Sequence, residues 1–74
     1  MIHGIYTRSN PKAKWHLVSL AISAEAANFD VDQCRKQNEL AGREGAEVAV
    51  KLFDSVFYIP EYLNEVNDTK ILYN

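Results

Sequence analysis

The chain has little of what usually announces a function. A single cysteine, Cys34, excludes an internal disulfide and fits a reducing compartment, and no Cys or His pair stands at metal-ligand spacing. Glycine is scarce, and the one short cluster, Gly42-Arg43-Glu44-Gly45, follows a helical stretch instead of opening one, the wrong context for a phosphate cradle. No apolar run approaches the ~20 residues of a membrane span, and the N-terminal MIHGIYTRSNPKAK lacks the continuous apolar core of a signal peptide. A cytoplasmic location is the expectation by default. Linkers, low-complexity tracts and internal repeats are absent, so residues 1–74 read as one domain.

What is present is an ordinary globular composition. Hydrophobic residues make up 47% and charged residues 24%, which separates the chain from disordered and fibrous classes. A domain of this length buries only about 60% of its unfolded surface, so its stability is marginal and self-association would help it.

The net charge of −2 hides an asymmetry. Residues 1–23 carry Arg8, Lys12 and Lys14 and no acid, a local charge of +3, whereas residues 24–74 carry ten acids against five bases, a balance of −5. Asp54, Glu61, Glu65 and Asp68 follow one another without an intervening base. Basic and acidic surfaces of this kind attract one another within or between subunits, or steer a partner of opposite charge.

Periodicity predicts two strands, residues 2–7 and 15–22, joined at the turn signal Asn10-Pro11. In the second strand, alternation places His16, Val18, Leu20 and Ile22 on a core face and Trp15, Leu17, Ser19 and Ala21 on the other. Ser23 is a good N-cap, with Glu25 in the favourable first turn, and Ala24, Ala27, Val31, Cys34 and Ala41 form an apolar stripe of small side chains on the helix that follows. Gly42 and Gly45 mark its end, Gly45 being the expected left-handed residue. A third strand comes next, with Val48, Val50 and Leu52 on one face. The register then breaks at Asp54-Ser55, and residues 56–59 either continue the strand or return as a hairpin arm. Pro60 ends pairing and starts a short helical turn holding Tyr62, Leu63 and Val66. Asn67-Asp68-Thr69 reads as a polar loop before a terminal strand over residues 70–73.

The expected fold class is therefore α+β in β-β-α-β order, a small antiparallel or mixed sheet of three to four strands with one amphipathic helix on one face. One helix covers one face only. Trp15, Leu17, Phe53 and either Phe57 or Ile59 are then an exposed apolar patch or are buried by the chain from Pro60 onward.

Chemistry-bearing residues do not converge. Cys34 lies on the apolar stripe, as an inert core residue does, and Asp30 and Asp32 are two apart on a helix and cannot face one another. No catalytic, metal or cofactor set is expected, and no small-molecule ligand or membrane contact is indicated; the chain reads as non-enzymatic. The expected function is a small interaction module that binds a protein partner or a second copy of itself through an aromatic-rich sheet face or edge. Its candidate anchors are Trp15, Phe57, Tyr58 and Tyr62, because desolvated aromatics dominate interface energy. The alternative is a weak nucleic-acid-binding module in which Tyr6, Arg8, Lys12, Lys14 and Trp15 on the hairpin grip phosphates and stack bases. Three cations are few, and the acidic remainder repels a polyanion.

Overall fold

A computed structural model of the protein describes residues 1–66 and 70–73. The elements are β1 (Ile2–Arg8), β2 (Trp15–Ala21), α1 (Ala24–Leu40), β3 (Glu47–Phe53), β4 (Tyr62–Leu63) and β5 (Lys70–Tyr73). They form an antiparallel sheet of order β4-β2-β1-β3-β5 with α1 packed across β1, β2 and β3. This is the expected α+β class and β-β-α-β order, with four strands of four residues or more and the two-residue β4 at one edge. Among the described residues no helix is long and apolar enough to cross a membrane.

The hairpin turn is made by Asn10. Its carbonyl accepts from the Ala13 N–H and its side-chain Oδ1 from the Lys12 N–H, while Pro11 sits at the position its fixed φ suits. Helix α1 starts at Ser23, extended at φ −142°, whose hydroxyl accepts the Ala26 N–H. Its end differs from expectation. Gly42, at φ +70°, is the left-handed residue, and the bonds Gly42 N–H to Glu39 O and Arg43 N–H to Asn38 O close a Schellman motif. Gly45 comes after the turn is complete.

The β2 faces also differ from expectation, and a bulge is the reason. The register passes from Ile5 opposite Ser19 to Tyr6 opposite Leu17, skipping Val18, and one extra residue reverses the alternation beyond it. Ser19 and Ala21 therefore lie on the helix side, where their small size admits α1, and Trp15 and Leu17 lie on the other. Val18, Leu20 and Ile22, expected in the core, are exposed. In β3, Val48 and Val50 face the helix as expected, joining Ile5, Ala21, Ala27, Val31 and Cys34 in the first core.

The second face has its own core of Tyr6, Trp15 and Ala49, closed by Leu17, Phe53, Leu63 and Val66. Gly4 belongs to this face. A Cβ there would stand 2.9 Å from the Phe53 ring and 3.1 Å from the Tyr6 ring, so the missing side chain is what lets the two rings approach, at 6.5 Å between centroids. The cover is the chain after β3. Residues 54–61 lead from β3 to β4 at the far edge, neither continuing β3 nor forming a hairpin arm with it, and Leu63 and Val66 beyond them pack on the second core. The expected helical turn after Pro60 is instead β4, paired to Trp15 and His16. The Tyr6 hydroxyl donates to the Pro60 carbonyl at 2.6 Å, and the Leu17 N–H to Glu61 O at 2.8 Å. The expected loop at residues 67–69 lies outside the described residues.

The Tyr6 hydroxyl thus fastens the second layer to the central strand. Tyr6→Phe retains the ring and removes the donor, and should cost about 1 kcal/mol. In hydrogen exchange the Leu17 amide should exchange faster than in the parent, while the Val31 amide in α1 keeps a protection set by global unfolding alone. An unchanged Leu17 rate at reduced overall stability would show that this bond is not what holds the segment.

Candidate functional site

Two groups of residues stand out once the cores are assigned: a polar network at one end of the sheet, and an exposed aromatic segment on its second face. The network begins with two strand neighbours. Arg8 and Glu47 face each other across β1 and β3, and Arg8 Nε donates to Glu47 Oε1 at 2.6 Å. The Glu47 side chain is only 3% exposed, and Arg8 is the ion-pair partner of its carboxylate there. The Arg8 guanidinium also lies 4.3 Å from the centre of the buried Trp15 ring, adding a cation–π contact.

On the helix side, Thr7 donates from Oγ1 to the Glu47 carbonyl at 2.8 Å and accepts from Asn38 Nδ2 at 3.2 Å. Asn38, buried in the last turn of α1, accepts at Oδ1 from Arg43 Nη1 at 3.2 Å. A shallow cavity of about 230 Å³ lies against this end, lined by Thr7, Ser9, Lys14, His16, Asn38 and Arg43. A second, of about 310 Å³, runs between β2 and α1 past Cys34, Gln33 and the Ser19–Asp30 hydrogen bond of 2.6 Å. Burial pushes the Cys34 thiol above its ordinary range, partly offset by Thr7 and the Arg43 charge. Among the described residues no group of three His, Cys, Asp or Glu could hold a metal ion.

The structure separates the expected anchors. Trp15 is 1% exposed, a core residue beneath Arg8 and Leu63, and offers no contact surface. Phe57 and Tyr58 are 94% and 82% exposed, with Val56 beside them, while Tyr62 is 58% exposed and leans on the His16 ring at 5.4 Å. The hairpin set also divides. Tyr6 and Trp15 are buried and cannot stack on a base, Arg8 is committed to Glu47, and only Lys12 and Lys14 stand exposed.

Sequence reasoning missed Glu47, Asn38 and Arg43. Two of them are polar residues inside apolar patterns, and their partners are fixed only by the strand register and the helix packing. Arg43 sits in the segment already recognised as a helix end, but nothing in the sequence aims its side chain back at Asn38. Comparison of the chain with protein-family models, curated proteins and solved structures finds no match.

Arg8→Met leaves the Glu47 carboxylate buried without a partner and should cost about 3 kcal/mol, a fall in Tm on the order of 15 °C. Arg8→Met/Glu47→Leu should recover at least half of that loss in the same melting experiment; no recovery would place the stabilisation in the Arg8–Trp15 stack instead. For Cys34, a raised thiol pKa means less thiolate at neutral pH. Its alkylation by iodoacetamide should be slower than that of a free thiol, with the rate inflecting at higher pH.

Proposed function

We propose that the protein is a non-enzymatic interaction module that docks on another protein through the exposed segment of residues 54–62. The observation that carries this reading is the run Val56-Phe57-Tyr58, held in solvent beside a segment whose other residues are pinned at Pro60, Glu61 and β4. Large exposed aromatics grouped together are typical of association surfaces, and each can bury on the order of 150 Å² or more. The apolar sheet face expected to serve this purpose is covered by the chain itself, which leaves the covering segment to present the aromatic residues.

The chemistry of the partner follows from the rim. Asp54, Glu61 and Glu65 are all exposed and flank the aromatics, and no Lys or Arg occurs from Phe53 to Val66. A complementary surface is an apolar groove edged with basic side chains. The hairpin's candidate aromatics for stacking, Tyr6 and Trp15, are buried, so the nucleic-acid reading has lost its aromatic half.

The test is a selection of random peptides on the parent protein, followed by binding to a Phe57→Ser/Tyr58→Ser variant. Both side chains are exposed, so the variant should melt within a degree or two of the parent. Selected peptides should combine apolar and basic residues and bind the variant at least about tenfold more weakly. Peptides that bind both equally would overturn the reading. Concentration-dependent light scattering that shows a dimer lost in the variant would replace the foreign partner with a second copy of the chain.

A further inference from the structure

The cavity of about 230 Å³ at the end of the sheet has a chemistry independent of the aromatic segment. Lys14, at the end of the hairpin loop, and Arg43, just past the helix, both line it, although they lie far apart in sequence. Between them stand Thr7 and Ser9 of the first hairpin arm, the exposed His16 of β2 and the carboxamide of Asn38. No Asp or Glu is among its lining residues. In a chain of net charge −2, this is a concentration of positive charge, with the Ser9 hydroxyl and the His16 ring beside it, while Thr7 and Asn38 donate within the fold.

The cations are also not spent elsewhere. Among the described residues Lys14 has no ion-pair or hydrogen-bond partner, and Arg43 uses Nη1 on the neutral Asn38 oxygen, leaving the rest of its guanidinium free. Glu39 and Glu44 border Arg43 on another side but form no ion pair with it. Arg8 also lines the cavity, and its charge is compensated by Glu47. The Arg43 backbone is fixed by the Schellman bond to Asn38 O, and its side chain by Asn38 Oδ1, so the guanidinium is held in place before any ligand arrives.

We propose that this cavity is a binding site for a tetrahedral oxyanion, the phosphate group of a small ligand. Arg43 presents a planar fork to two oxygens, Lys14 supplies a mobile point charge, and His16 and the Ser9 hydroxyl offer further donors at the mouth. The volume exceeds what a bare phosphate fills, so the site admits a phosphate carrying a substituent.

The experiment is a titration of the ¹⁵N-labelled protein, followed by amide shifts, with inorganic phosphate, with a nucleoside monophosphate, and with chloride at matched ionic strength. Phosphate should produce saturable shifts grouped at Ser9, Lys14, His16 and Arg43, with a dissociation constant on the order of 1 mM, while chloride produces none of them. Lys14→Gln, an exposed change that leaves the fold intact, should weaken binding about tenfold, and Arg43→Gln at least as much. Tighter binding of the monophosphate than of phosphate assigns the site to a substituted phosphate; equal binding assigns it to the free anion. Linear, unsaturated shifts spread over Lys36 and Lys51 as well, an equal response to chloride, or undiminished affinity in Lys14→Gln would overturn the proposal.

Discussion

A sheet has two faces, and this chain has one helix to cover them. The central strand β1 shows the constraint residue by residue: Ile5 faces the helix and is fully buried, and Tyr6, its neighbour, faces the other way and is equally buried. Neither layer can be absent without exposing a large side chain from the middle of the molecule. Helix α1, built on small residues, meets the demand on one side by close approach. On the other side Leu63 and Val66 of the chain after β3 close the core, and the Pro60 and Glu61 carbonyls fasten that chain to Tyr6 and Leu17. The burial gained on the second face offsets the weakness expected of a small single core.

The same strand organises the polar end of the molecule. Thr7 and Arg8 are successive residues, so they point to opposite faces, yet both are tied to Glu47, one through its backbone carbonyl and the other through its carboxylate. Thr7 then passes the connection through Asn38 to Arg43, linking the helix end to the first and third strands. Such a network is costly when partly satisfied and rigid when complete. Its completeness leaves the hydroxyl and amide oriented, and among the described residues neither Lys14 nor Arg43, the two cations at its margin, forms an ion pair.

How much of this is legible in the sequence depends on range. The Ser23 cap, the Asn10-Pro11 turn and the strand over Val48, Val50 and Leu52 are local, and each is readable from a few residues. The β2 faces are not, because Val18 is skipped by a bulge whose cause lies in the pairing with β1; simple alternation then puts Val18, Leu20 and Ile22 inside. Gly42 and Gly45 compete for the helix end three residues apart, and the choice is made by where α1 stops against β1. Asn38 and Glu47 look like surface residues until the register brings Thr7 and Arg8 beside them. Of the expected anchors, Phe57, Tyr58 and Tyr62 are exposed and Trp15 is not, since whether an aromatic is core or surface depends on which segment covers the second face.

That segment has a long way to travel. From Phe53 to Tyr62 the chain must cross three strand spacings, about 14 Å, and rise along the sheet from the level of Ile2 to that of Thr7, about 17 Å. The diagonal is about 22 Å, against a reach of about 30 Å for an extended chain over the same interval. The in-plane surplus of about 8 Å is what remains for leaving the plane of the sheet and returning to it, and the most exposed large hydrophobics along the way are Phe57 and Tyr58. The bonds that fasten this segment to Tyr6 and Leu17 come from the Pro60 and Glu61 carbonyls, so neither ring takes part in them. Rings this exposed, at 94% and 82%, and packed in neither core contribute little to the stability of the fold.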